Sequence, residues 1–226
     1  VRVGCCVYYN QAQGAAVKDL RNSFAAIAKA FSLWWGDWAN QVLVCLAAVL
    51  LSLTVILALP AYIGVLEQAR DLTHGARTGI AGMWSGFRRE LRRSLPWGLL
   101  NLAAAAVFGF TLWFYANSRF VFAPALVVII SAAALIYFIW QYFSLACYTL
   151  QEEKKIKLAW QNALALLLSR PGVMWLSGLL GAALSFVSLR FFVPLALGSP
   201  ALIALMSLTA VQQALRDGAE ANRPES

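Results

Sequence analysis

His74 is the single histidine of the chain, and Glu67, Arg70 and Asp71 precede it at spacings that a helix would bring onto one face. A His–Asp pair of this kind could serve as a general base with its orienting carboxylate. No nucleophile motif, phosphate-binding glycine loop or metal-ligand spacing accompanies it, and a lone histidine cannot build a zinc site of the usual types. His74 therefore reads as a solvated loop residue. No catalytic residue, metal site or cofactor is assigned from the sequence.

The strongest concentration of charge is Arg88, Arg89, Arg92 and Arg93, which follow an apolar stripe made by Ile80, Met83, Trp84, Phe87 and Leu91. That pattern predicts an arginine-rich helix lying in a membrane interface. The four arginines are a hypothetical contact for anionic lipid headgroups, and they also suffice to orient a span that follows them. Asn101 and Gln141 are the strongest amides in the apolar stretches, where interhelical hydrogen bonding is their expected role and a ligand contact the alternative. Ser177, Gly181 and Ser185 repeat every four residues, a small-residue stripe that lets another helix approach closely, either within the chain or from a second copy. Glu152-Glu153-Lys154-Lys155 reads as a solvated helix start. Cys45 and Cys147 fall within apolar stretches as small packing residues, and Cys5 and Cys6 sit near the N-terminus without a lipoprotein-type signal before them.

The elements that carry these residues are set by the distribution of charge. Residues 38–66, 94–118, 120–151, 171–189 and 191–215 contain no Asp, Glu, Lys, Arg or His. About 20 predominantly apolar residues suffice for a helix to cross the hydrocarbon core, where unpaired backbone groups exclude open strands. A hydrophobic fraction of 61% with 12% charged residues agrees, against roughly 45–50% and 25% in soluble proteins. The expected fold is all-α, a polytopic transmembrane helical bundle of about five spans, near 42–66, 96–118, 124–148, 171–189 and 192–215. Residues 1–16 are expected to form a disordered N-terminal segment, 17–216 a single transmembrane domain and 217–226 a polar tail. Apolar positions from Val17 to Trp34 recur at helical spacing, so a first amphipathic helix is expected over 17–35. A sixth crossing from residues 22–36 is the alternative, and it would carry Lys29 within a short span.

With five crossings, twelve basic residues fall on one side and six on the other, so the richer side is expected to be cytoplasmic. The net charge of +8 lies between apolar spans rather than on a globular face, which argues against nucleic acid as a partner. No ionisable group lies well inside a predicted span, which argues against a self-sufficient ion-coupled pump. A parallel internal repeat is also suggested. Arg93-Ser94-Leu95-Pro96 and Arg170-Pro171 enter two spans, while Arg119 to Pro124 and Arg190 to Pro194 lead into the next ones.

Three stretches carry a family resemblance. They are Leu59-Pro60-Ala61 with Val65-Leu66 and Arg70, the run from Trp84 to Leu95, and Asn162-Ala163-Leu164 with Arg170-Pro171. Over roughly residues 20–215 the chain resembles the YesL-like family of bacterial integral membrane proteins, a domain of unknown function. The family's Thr-Ile-Gly-Pro motif after the first span is absent here, with Ala61-Tyr62-Ile63-Gly64 nearby. The resemblance implies a multi-pass protein of the bacterial inner membrane with an accessory part in carbohydrate uptake, and it carries over no catalytic residue. Expected partners are membrane lipids with anionic headgroups, transporter subunits, and a second copy of the chain through Ser177, Gly181 and Ser185. Two functions follow: a non-enzymatic accessory or permease-like component, or a membrane-interface enzyme or lipid-handling protein built on the arginine-rich helix.

Overall fold

The computed structural model describes residues 14–191 and 198–221, and every regular element among them is an α-helix. In chain order these are α1 (Gly14–Gly36), α2 (Trp38–Ser52), α3 (Ala58–Thr73), α4 (Gly79–Ala116), α5 (Ala123–Leu150), α6 (Ile156–Ser169), α7 (Pro171–Arg190) and α8 (Ser199–Ala221). Three of them, α4, α5 and α7, are long and apolar enough to cross a membrane, and a fourth span results if the α1–α2 pair is counted as one, although it bends by 91° at Asp37. The molecule is thus an all-helical bundle of membrane type, with fewer such helices among the described residues than the five charge-free stretches suggest.

The first difference lies at 42–66. Instead of one spanning helix, α2 stops at Ser52 and α3 starts at Ala58. The Ser52 and Thr54 hydroxyls turn back onto the carbonyls of Ala48 and Leu51, and Val55 adopts φ 56°, the left-handed region that a β-branched residue rarely enters. Asn40 packs beside Gly79 at the start of α4, whereas Val55, Ala58 and Leu59 lie around Gly98 and Asn101. From there α3 runs back, with Gly64 against Met83 and Phe87 and with Glu67 against Gly86. Both feet of this helical hairpin therefore stand at the N-terminal end of α4. The break falls before Pro60, which sits in the first turn of α3, where its missing N–H has no intrahelical role.

The interfacial helix expected over Ile80–Leu91 and the span expected over 96–118 form one 38-residue helix, α4. At 1.5 Å per residue it is about 57 Å long, nearly twice the roughly 30 Å hydrocarbon core. Pro96 lies inside it rather than at its start. The proline withholds an amide from the Arg92 carbonyl, but the surrounding turn is on the exposed side of the bundle, where that carbonyl can be solvated. By contrast, α6 and α7 are separated at Arg170 (φ −133°, ψ 62°), with Pro171 opening α7. The two halves of the suggested repeat thus differ at their first proline; Pro194 lies outside the described residues.

At the C-terminal end, α8 begins at Ser199 and continues to Ala221, through the start of the expected polar tail. Asp217 is buried, where it accepts hydrogen bonds from Asn22 Nδ2 (2.9 Å) and Gln213 Nε2 (3.0 Å), so this end of α8 is clasped to α1. Gly14–Ala16, expected to be disordered, belong to α1. Residues 1–13, with Cys5 and Cys6, lie outside the described residues, as do 192–197 and 222–226.

The core is centred on α3. Ala61, Ile63, Val65, Leu66 and Ala69 are fully buried, and the last four belong to one core with Phe143 and Tyr148 of α5 and Leu205, Met206 and Leu208 of α8. The α3–α4 contact is the closest approach: a Cβ on Gly64 would come within 2.7 Å of the Met83 carbonyl oxygen, and one on Gly86 within 2.9 Å of the Glu67 Cβ. Small residues at a helix crossing permit this backbone proximity, which supplies packing energy in lipid where the hydrophobic effect between helices is absent.

Candidate functional site

The close approach of α3 to α4 places two carboxylates in the interior. Glu67 and Glu90 are 6% and 0% exposed, although both fall in the charged segment between the charge-free stretches 38–66 and 94–118. Glu67 is held by three cations from three segments: Lys154 Nζ at 2.6 Å from the α5–α6 link, Arg89 Nη2 at 3.1 Å from α4, and Arg70 Nη1 at 3.7 Å one turn along α3. Lys154 also donates to the Thr149 carbonyl (3.3 Å) and lies over the Tyr148 ring at 5.2 Å. Glu90 Oε2 accepts from the Tyr148 hydroxyl at 2.8 Å, while its Oε1 accepts no hydrogen bond and lies 3.4 Å from Arg89 Nε. Arg89 therefore bridges both carboxylates from a side chain that is itself more than half exposed, whereas Glu67 and Lys154 are both largely buried. Removing one partner of a buried pair costs about 3–5 kcal/mol where its charge is left without compensation.

The Glu90–Tyr148 bond heads a polar seam between α4 and α5. Below it, Trp97 Nε1 donates to Gln141 Oε1 at 2.8 Å, and the Tyr137 hydroxyl donates to Asn101 Oδ1 at 3.2 Å. Steps of seven and four residues down α4 are matched by steps of seven and four in the reverse direction along α5. That constant antiparallel register is the spacing of a packed helix seam. The Asn101 amide nitrogen closes on the Trp97 carbonyl at 2.9 Å. Gln141 is buried and bonded across helices, as expected of it; Asn101 is also bonded, and it borders an apolar cleft of about 320 Å³ lined with it by Val55, Ala58, Leu59, Tyr62, Gly98 and Leu102.

The four arginines do not act as one group. All are exposed, but Arg89 is engaged with Glu67 and Glu90. Arg88 stacks over the Trp84 ring at 4.9 Å. Residues four apart share a helix stripe, so Arg88 and Arg92 make an outer stripe and Arg89 and Arg93 one turned toward the carboxylates.

His74 is exposed just past the last turn of α3, where its backbone N–H closes onto Arg70 and Asp71 carbonyls. The Asp71 carboxylate instead accepts from Thr78 Oγ1 at 3.0 Å, so the geometry does not join the two as base and orienting group. The stripe on α7 meets α5 of the same chain: Gly178 packs on Ile139 and Phe143, Gly181 on Tyr142, and Ser177 is buried with its hydroxyl on the Val173 carbonyl. Lys154 leaves the solvated run expected of it and becomes the closest partner of Glu67, while Lys155 stays outside with Glu153. Among the described residues, no group of three or more His, Cys, Asp or Glu is placed to hold a metal ion.

Besides Glu90 Oε1, five residues among those described keep buried side-chain polar atoms without hydrogen bonds: Gln68 (both amide atoms), Gln41 (Oε1), Tyr62 (hydroxyl), and Trp34 and Trp160 (Nε1). Gln41 otherwise donates to Asp37 (3.2 Å), which also accepts from Asn40 (2.8 Å) and so fixes the α1–α2 corner.

Comparison of the chain with protein-family profiles, curated proteins and solved structures finds no match in any of the three.

Proposed function

We propose that this protein is a non-enzymatic accessory component of a membrane assembly, a helical scaffold that presents apolar helix faces to neighbouring membrane proteins. The observation that carries this reading is the pairing of the polar groups around Glu67 and along the α4–α5 seam: Glu67 with Lys154 and Arg89, Glu90 with Tyr148, Trp97 with Gln141, and Asn101 with Tyr137. Groups that bind or carry a substrate must exchange partners during a cycle, and a matched seam of short bonds in constant register opposes such exchange. The non-enzymatic part is supported by the Asp71 carboxylate, which is engaged by the Thr78 hydroxyl.

The resemblance to YesL-like proteins supplies the setting, a bacterial inner membrane and a carbohydrate-uptake system whose transporter subunits are the proposed partners. In this topology α4, α5 and α7 cross the bilayer, the α2–α3 hairpin enters and returns on the side of Gly79, and α8 packs within the bundle. The five-crossing reading instead takes 42–66 through the bilayer as a single span. Crosslinking in native membranes is expected to recover transport proteins, and deletion is expected to reduce sugar uptake. Recovery of no transport protein together with unchanged uptake overturns the proposal.

A further inference from the structure

The face of α4 that carries Arg88 and Arg92 has a composition that the scaffold reading leaves unused. Trp84, Arg88, Arg92, Leu99 and Leu102 are exposed, and Leu95 is half-exposed between them. At 100° per residue these positions stay on one side of the helix. The stripe therefore changes in character along α4, with an indole and two guanidinium groups in its upper part and leucines in its lower part. The change falls between Arg93 and Leu99, where the 18-residue apolar stretch of α4 begins; no residue of that stretch is buried within the protein. Beside the leucines, Leu102 and Gly98 form one wall of the apolar cleft of about 320 Å³ that Val55, Leu59 and Tyr62 complete. Arg92 is six residues above Gly98, about 9 Å along the axis, and Arg88 about 15 Å. Those distances place the cleft at the depth of the acyl chains of a phospholipid whose phosphate lies beside the two arginines, since the hydrocarbon begins about 5–7 Å below the headgroups.

We propose that this face binds one anionic glycerophospholipid, with its phosphate between Arg88 and Arg92 and an acyl chain running past Leu95 and Leu99 into the cleft beside Leu102. Charge complementarity selects an anionic headgroup over a zwitterionic one. The remaining arginine pair does not share the task, because Arg89 is committed to Glu67 and Glu90 and Arg93, one turn along from Arg89, lies about 100° around the helix from Arg92. Trp84 sits at headgroup level and steadies Arg88 by stacking, the usual place of an indole in a membrane interface.

The test uses the full chain in mild detergent, titrated with phosphatidylglycerol or with phosphatidylcholine of the same acyl chains, with bound lipid counted by native mass spectrometry. Wild type is expected to retain phosphatidylglycerol with roughly tenfold preference, and the R88Q/R92Q double variant to lose most of that preference. A control that removes the same charge from other exposed positions, R77Q/K157Q, is expected to keep it. Leu102→Trp, which narrows the cleft, is expected to weaken binding of the long-chain lipid more than that of a dioctanoyl analogue. Equal retention of the two headgroups, or equal loss in the control variant, overturns the proposal. Displacement of the lipid by millimolar inorganic phosphate identifies a free-anion site and overturns it as well.

Discussion

Gln68 shows most directly how single residues act in this interior. Its amide is fully buried and makes no hydrogen bond, so it contributes desolvation cost without compensation, about 1–3 kcal/mol. Gln68→Met keeps the shape and removes that cost, and is expected to raise unfolding stability in detergent by about 1 kcal/mol; a loss of similar size would show that the amide has a partner. Trp97→Phe should act in the opposite sense, because it strands Gln141 Oε1 in the α4–α5 seam. The expected loss is about 1–3 kcal/mol, with Gln141→Leu in the same background recovering part of it. Gln141 was legible in the sequence as an amide inside an apolar run with no use there except another helix. Glu67, Glu90 and Lys154 were not. Each stands among other charges, and only the distances to α3, α4 and the α5–α6 link distinguish a buried hub from a solvated loop. The seven-and-four spacing of Glu90, Trp97 and Asn101, answered by Tyr137, Gln141 and Tyr148, was the available signal, and it crosses the boundary that charge alone draws at residue 93.

The same boundary governs what was legible among the elements. Charge-free runs mark where a helix tolerates lipid, not where it starts or stops. They therefore divide α4 at its arginines although the backbone continues through Pro96, and they join α2 to α3 across a turn whose residues are all uncharged. The α2–α3 turn depends on Val55 entering the left-handed region and on hydroxyls closing onto carbonyls, features with little compositional trace. The α3–α4 crossing offers a sharp comparison of two glycines. Gly64→Ala places a methyl group 2.7 Å from a backbone carbonyl oxygen and is expected to cost about 1–3 kcal/mol. Gly109, lower on α4, has open space where a Cβ would go, so Gly109→Ala is expected to be neutral or to stabilise by up to about 1 kcal/mol. Equal effects of the two substitutions would contradict the close crossing.

For the whole molecule, composition and charge distribution were enough to establish an all-helical membrane-type bundle, because an apolar chain of this kind cannot leave its backbone unpaired. They were not enough to show how the bundle is fastened. One carboxylate on α3 joins α4 and the α5–α6 link, a second on α4 joins α5, and a buried aspartate on α8 joins α1. These fasteners connect helices distant in sequence, which is why no local pattern announces them. The central claim is that the interior carboxylates hold the bundle together rather than perform chemistry. A double-mutant cycle on Glu67 and Lys154 tests it most directly, with unfolding free energy in mild detergent measured for wild type, E67Q, K154M and the double variant. Each single substitution is expected to cost about 3 kcal/mol, and the double variant less than their sum by at least about 1 kcal/mol. Single effects near zero, or costs that add within about 0.5 kcal/mol, would contradict the account.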